Sequence, residues 1–485
     1  MLLAFSPALD YNGAQYATLL SGKEFPLRSK YFGDRAFYTR LLGVAVPILV
    51  QNVITNFVNL LDNIMVGQIG TESMSGVAIV NQLLFVFNLC IFGGLAGAGI
   101  FTAQYSGKGD TEGVRSTVRI KFYIAAGAVM VFAAAFIARG SALITLFLHE
   151  GKDALDLAAT LHYGTDYLRV MVWQMLPFAL MQIYSSSLRE TGETLLPMKA
   201  GIAAVFVNLC LNYILIFGKL GAPALGVVGA AIATLIARCV ECAIVLIWSH
   251  THPARVPFVQ GLYRTMRVPV RLWMQVAVMG APLLINEVLW SSGMTTLNQC
   301  YSVRGLEVVS ATNIASTVSN LFFTAFLAMG VATSIIIGQL LGSGHPERAI
   351  IAQRKLAVFT VVLNAAVGAV MAVLAPLVPD IYNTTPTVKV LAGQLLLVNA
   401  VMMPFISYVN VAYFTLRAGG KTIITFFFDC GFTWIICVPL AFVLSRFTAM
   451  PILPLFMCVQ AVELVKCVVG YFLVKSRCWV NDLVN

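Results

Sequence analysis

Apolar runs long enough to cross a bilayer follow one another along almost the whole of this 485-residue chain, and that feature decides its fold class. A hydrocarbon core needs about 20 consecutive apolar residues in helical form, and within it the backbone's polar groups must be satisfied inside the segment. Twelve such runs are expected, at 41–61, 75–103, 118–139, 164–188, 196–217, 225–248, 274–298, 309–340, 354–378, 391–416, 422–445 and 451–474. Composition agrees. The chain is 59% hydrophobic and 11% charged, where a soluble domain carries about 25% charged residues. The predicted class is an all-α integral membrane protein.

Charge punctuates the short loops. Residues 1–9 are apolar without a preceding basic region, so they do not read as a cleavable signal. Lys23, Arg28, Lys30, Arg35 and Arg40 read as a basic lead-in along the membrane surface. The net charge of +10 comes from loop cations that set orientation, not from a basic patch on a soluble domain, so no nucleic-acid partner is expected. One side collects Lys108, Arg115, Arg119, Lys121, Arg189, Lys199, Arg255, Arg264, Arg267 and Arg271, then Arg348, Arg354, Lys355, Arg417, Lys421, Lys475 and Arg477. The other side has only Arg139, Lys152, Lys219, Arg304, Lys389 and Arg446. That asymmetry places both termini and the 250–271 linker on the cytoplasmic side of a cell membrane. The expected division is a segment 1–40, an N-lobe 41–249, the linker 250–271, a C-lobe 272–475 and a tail 476–485. Most of the ten cysteines fall inside apolar runs, where they behave as small hydrophobes. Cys239 and Cys242 share a CxxC spacing, but in mid-span this reads as packing.

The chain is internally duplicated. A displacement of 235 positions carries Pro47 onto Pro282, Asn63 onto Asn298, Gly70 onto Gly305 and Glu72 onto Glu307. It also carries Gln104, Gly107 and Gly109 onto Gln339, Gly342 and Gly344 without a gap. Later, a displacement of 228 carries Leu188-Arg189 onto Leu416-Arg417. Six runs separate the copies, so both enter the membrane in the same direction. Two six-helix bundles related by a pseudo-two-fold axis along the membrane normal are expected, with a cavity between them and alternating access by rocking.

Chemistry inside the runs is sparse. Glu287 stands well within the seventh run, and an acid there is costly enough to mark an ion or substrate pathway. Asp62 closes the first run, Asp429 begins the eleventh, and Glu241 and Glu463 lie in the sixth and twelfth. A carboxylate in a low-dielectric cavity can hold a proton or Na⁺ in one state and a cationic substrate in another. Arg238–Glu241 and Glu463–Lys466 are spaced three apart and read as ion pairs that hold helices. Asn208 and Asn212, four apart on one face, either clamp a neighbouring helix or help to coordinate an ion beside Asp62. Trp290, Tyr184, Trp434, Asn63 and Asn298 are candidates to line a cavity for flat organic cations. No P-loop is present, so an ion gradient is the expected energy source. A membrane-embedded enzyme is the competing class. The five histidines (His149, His162, His250, His252 and His345) fall in loops or at run ends, which disfavours it.

The motif-bearing stretches together resemble the multidrug and toxic compound extrusion (MATE) family, over about residues 38–480. They are Pro47 with Leu61-Asp62-Asn63 to Gly70, Gln104 to Asp110, Leu188 to Gly192, Asn208 to Gly218, Pro223 to Gly229, and Pro282 to Gly293 with Glu287 and Trp290. The resemblance implies export of cationic drugs driven by H⁺ or Na⁺ entry, by a monomer with no other cofactor. It implies that Asp62 matches the first-helix acid and Glu287 the seventh-helix acid, and that Na⁺ would be held at one or the other. The chain departs from the pattern in two places. Asn212 stands where some branches have Asp, and the tenth run carries Asn399 and Asn410 but no acid. Asp429 is therefore the candidate second C-lobe acid. A lipid-linked oligosaccharide flippase of the same superfamily is the alternative, to be favoured by a basic cavity.

Overall fold

The computed structural model describes residues 31–148, 156–382 and 384–485, without the side chains of residues 58–60 and 63. The basic lead-in before residue 31 lies outside the described residues. Helix dominates: α1 (Arg35–Gly67), α2 (Thr71–Lys108), α3 (Thr111–Thr145), α4 (Leu157–Glu190), α5 (Leu195–Phe217), α6 (Gly226–Thr251), α7 (Val270–Ser302), α8 (Leu306–Gly342), α9 (Pro346–Leu374), α10 (Pro386–Ala418), α11 (Thr422–Phe447) and α12 (Ile452–Lys475). Eleven of these are long and apolar enough to cross a membrane. The other, α4, has the length but is thinned in apolar content by Asp166, Arg169, Gln174 and Gln182. The expected fold class, with its twelve helices, is borne out.

Local chemistry sets the helix ends. Asp156 caps α4, its carboxylate accepting from the amides of Ala158 at 2.9 Å and Ala159 at 3.0 Å, so the first-turn donors have a partner. Pro346 and Pro386 stand in the first turns of α9 and α10, where a missing N–H costs nothing. Gly218 ends α5 in the left-handed conformation, φ 65°. Most of the helices are regular α-helix. In α11, two π-helical turns, Phe427–Gly431 and Thr433–Cys437, interrupt the usual register.

The chain packs as two compact units. The first consists of the start of α1 up to Leu49, the end of α2 with its loop (Ala103–Asp110), and Val276–Asn485. The second consists of Val50–Thr102 and Thr111–Gln275. Chain order divides the sequence at the linker, whereas packing divides α1 and α2 internally. The reason is a core in which Phe37, Leu41, Val44 and Ile48 of α1 bury against Ala332, Ile336 and Leu340 of α8 and Leu356 of α9.

In that unit the repeat-equivalent ends of α2 and α8 cross. A Cβ on Gly107 would stand 1.9 Å from the Gln339 carbonyl oxygen, and one on Gly342 would stand 1.9 Å from that of Gln104. Only glycine permits such an approach. The Gln104 amide donates to Ala418 O at 3.0 Å, and its oxygen accepts from Leu483 N at 2.9 Å. The tail is therefore fastened here, with Trp479 fully buried beside it.

In the second unit the linker is docked. Val256, Phe258, Val259 and Leu262 are buried, and Arg119 of α3 donates to Leu262 O at 3.1 Å and Gly261 O at 3.2 Å. Tyr123 reaches Met266 O at 3.1 Å.

Candidate functional site

Within the second unit a cavity of about 470 Å³ opens among α1, α2, α4, α5 and α6. Its wall is unusual for a protein this apolar. Gln51, Asn52, Asn81, Asn88, Gln174, Gln182 and Asn212 supply amides, and Asp62, Glu241, Arg189 and Arg238 supply charges. Asp62 is held from α5. The Asn212 side-chain amide donates to Asp62 Oδ1 at 2.6 Å and to Asn208 Oδ1 at 3.2 Å, and Asn208 passes a further bond to Thr234 at 3.3 Å. Asp62, Asn208 and Asn212, singled out in the sequence, are thus one hydrogen-bonded chain. Both N–H groups of Asn212 are spent, and among the described residues its buried Oδ1 has no hydrogen-bond partner, nor has Asn88 Oδ1. A buried acceptor without a donor costs about 1–3 kcal/mol. Such oxygens beside a carboxylate are the ligand type that a hard monovalent cation accepts.

The first unit holds a second acidic cluster. Asn286 of α7, next to Glu287, donates to Asp429 Oδ2 of α11 at 3.1 Å and lies 3.5 Å from the Tyr413 hydroxyl. Lys466 of α12 stands 3.5 Å from Asp429 Oδ1 and 3.2 Å from Glu463 Oε1. Glu287 is half-buried within electrostatic reach of Arg417 and Asp429. The two expected acids of this half therefore share one neighbourhood.

The two clusters match in an unexpected way. By the repeat, α7 is the counterpart of α1 and α11 of α5. In the second unit the acid is on α1 and its amide on α5; in the first the amide is on α7 and the acid on α11. Each copy thus joins its first helix to its fifth by one acid and one amide, in opposite order and at different levels, since the displacements of 235 and 228 set Asn286 on Gln51 and Asp429 on Gly201, eleven positions from Asp62 and Asn212.

The other candidate residues fall elsewhere in the structure. Tyr184 is not a cavity wall: it is fully buried, with its hydroxyl bonded to His250 Nε2 at 3.0 Å and to Tyr263. Trp434 clamps α11 to α7, its Nε1 donating to Leu289 O at 2.8 Å. Trp290 and Asn298 are exposed in the other unit from the cavity, and the side chain of Asn63 lies outside the described residues. Glu463–Lys466 is more than a pair along one helix, because Asp429 shares the lysine. Arg238–Glu241, at 2.7 Å, forms as expected but also lines the cavity. Asn286, Tyr413 and Asn88 were passed over in the sequence. For Asn286 a signal existed: the 235-residue displacement sets Asn286-Glu287 on Gln51-Asn52, and both of the latter line the cavity.

The MatE family model matches residues 47–214 and 282–443. The two segments begin at Pro47 and Pro282, the pair that the 235-residue displacement superposes. The chain is 24% identical to a probable multidrug resistance protein NorM of Thermotoga maritima, over 84% of this chain and 85% of the relative. It is 28% identical to a probable NorM of Shewanella oneidensis, over 84% and 86%. Its fold is similar to that of the Vibrio cholerae MATE transporter VcmN, with a TM-score of 0.81, 18% identity, and 91% and 97% of the two chains covered.

Proposed function

The chain belongs to the MatE family of multidrug efflux transporters, and from that premise we propose that it exports organic cations in exchange for H⁺ or Na⁺. The two lobes alternate access to a site on either side of the cell membrane, with both termini cytoplasmic and a monomer as the working unit. The carrying observation is Asp62, lining a polar cavity of about 470 Å³ with an Asn212 amide 2.6 Å away.

A carboxylate so placed has two competing partners. A proton neutralises it directly. A sodium ion, as cargo, would take Asp62 with the Asn212 Oδ1. Either one discharges Asp62 and weakens its hold on a cationic drug, which is the competition antiport needs. Glu287 and Asp429 form the second acidic station. The lobes do unequal work, because each has its own acid on a different helix of the repeat.

The test is efflux of ethidium from proteoliposomes under a pH gradient alone and then a Na⁺ gradient alone. Asp62→Asn is expected to abolish the driven component under the effective gradient, with the protein still folded and inserted. Driven efflux at the wild-type rate in that variant removes Asp62 from the coupling site. Glu287→Gln examines the second station in the same way.

One observation keeps the flippase reading in play. Arg189 and Arg238 stand in the cavity with Asp62 and Glu241, so its formal charges cancel. Uptake of an anionic lipid-linked saccharide in place of ethidium would decide for that reading.

A further inference from the structure

We propose that Lys466 is a resident cation of the acidic cluster in the first unit, holding Asp429 until a transported cation displaces it. The proposal rests on the transport reading above and adds a residue to it. Lysine inside a membrane helix is costly and is retained where it is paired or functional. The Lys466 side chain is 6% exposed, and those of its two carboxylates are 23% and 18% exposed.

The two contacts of the lysine differ in kind. Glu463 is three residues earlier on the same helix, at 3.2 Å, and accepts a hydrogen bond from Nζ. That contact survives any movement of α12 as a body. Asp429 is on another helix, at 3.5 Å, and its other oxygen is already held by Asn286 at 3.1 Å. The Lys466–Asp429 contact is the one that can open, leaving the lysine on Glu463. Asp429 itself lies in a π-helical turn. Such turns recur at functional sites.

The other copy repeats the arrangement. A displacement of 228 sets Lys466-Cys467-Val468 on Arg238-Cys239-Val240. Arg238 is likewise held within its own helix, by Glu241 at 2.7 Å, and lines one cavity with Asp62 of another helix, within electrostatic reach of it. A cation kept at one position in both copies, while the acids around it moved, is what an exchangeable counter-ion requires. A pair serving only to hold one helix would keep its own acid in register, and Glu241 and Glu463 lie on opposite sides of their cations.

Lys466→Met removes the charge and keeps the stem; Lys466→Arg keeps the charge. Binding of radiolabelled tetraphenylphosphonium to the purified full chain is expected to tighten at least tenfold in Lys466→Met, with ethidium KM and kcat both falling. Lys466→Arg should restore wild-type values, and adding Asp429→Asn to Lys466→Met should cancel the gain. Equal loss of binding in the Met and Arg variants would assign Lys466 to structure alone and overturn the proposal. A second readout does not depend on transport. Dicyclohexylcarbodiimide modification of Asp429, followed by mass spectrometry, should rise severalfold in Lys466→Met and stay at the wild-type level in Lys466→Arg. Unchanged labelling in the Met variant overturns the proposal even where ethidium moves normally. Wild-type protein that neither binds nor moves either organic cation overturns the transport reading, while the labelling result still decides the role of Lys466.

Discussion

Placing a methyl group at the α2–α8 crossing should cost the protein far more than the same change at a helical glycine with open space around it. A Cβ on Gly107 would lie 1.9 Å from a backbone oxygen, against a floor of 3.0 Å for real contacts, so the backbones must part by about 1.1 Å there. The obstacle is backbone on both sides, and no rotamer relieves it. Overpacking of this kind costs about 1–3 kcal/mol. Separation also strains the bonds from Gln104 to Ala418 and Leu483, and from Arg40 to Gln339 at 2.8 Å, each worth about 1 kcal/mol net. Gly342→Ala meets the same distance from the other side and should cost the same. Because the first methyl already parts the helices, the double variant should lose much less than the sum of the singles. Gly127→Ala is the control: nothing lies within 4 Å of its Cβ, and alanine gains up to about 1 kcal/mol in a helix interior. Thermal denaturation in detergent, read as loss of monodisperse elution, measures all four. Gly107→Ala melting with the wild type, or strictly additive losses in the double variant, would refute the geometry of the crossing.

Three further outcomes are expected. Asn286→Leu leaves an Asp429 oxygen without its amide and should lower stability by about 1–3 kcal/mol, visible as earlier thermal denaturation that Asn286→Gln partly recovers. Arg119→Ala removes the two bonds from α3 to the carbonyls of Gly261 and Leu262 in the linker, so limited trypsin digestion should cut at Arg264 and Arg267 faster than in the wild type, with the helices intact. Trp479→Ala empties a fully buried site in the tail and should cost about 3–5 kcal/mol, with loss of yield or melting temperature as the measure.

The helices were legible because each apolar run is written in consecutive residues, and the duplication because Pro47 and Pro282, or Gly107 and Gly342, stand at a constant separation. Asp62 and Asn212 are 150 positions apart, and only their both being polar in apolar surroundings hinted that they meet. Asn286 shows the limit. It is adjacent to Glu287, and neighbours on a helix point about 100° apart, so the sequence marked the charged residue and passed over the amide that bridges to Asp429. Lys466 shows another. Its spacing to Glu463 is local and readable; its contact with Asp429 depends on how α11 packs on α12. An aromatic in a membrane helix looks alike in sequence whether it faces a cavity or, as Tyr184 does, a histidine and a tyrosine from the linker region. The division of α1 at Leu49 was illegible for a similar reason, since Phe37 to Ile48 look as apolar as the rest of the helix.

In one copy the acid of the bridge stands on the first helix, and in the other it stands on the fifth. If an acid joined to an amide between the first and fifth helices is what each copy needs, its polarity is free, and the second unit should tolerate the reversed order. Asn212→Asp alone sets two carboxylates where donor and acceptor stood 2.6 Å apart, a repulsion of about 6 kcal/mol at an effective dielectric of about 20 if both carry charge. Asp62→Asn alone leaves two amides and no charge. The double variant restores one acid and one amide across the same gap, and it should recover most of the thermal stability lost by Asn212→Asp. It should also regain driven ethidium efflux that Asp62→Asn alone cannot support, because the cavity again presents one carboxylate beside one amide. A double variant no more stable than Asn212→Asp would mean that the position of the charge, and not the bridge, is what the fold protects. A stable double variant without efflux would mean that the bridge is structural and that coupling is tied to the α1 side of the cavity.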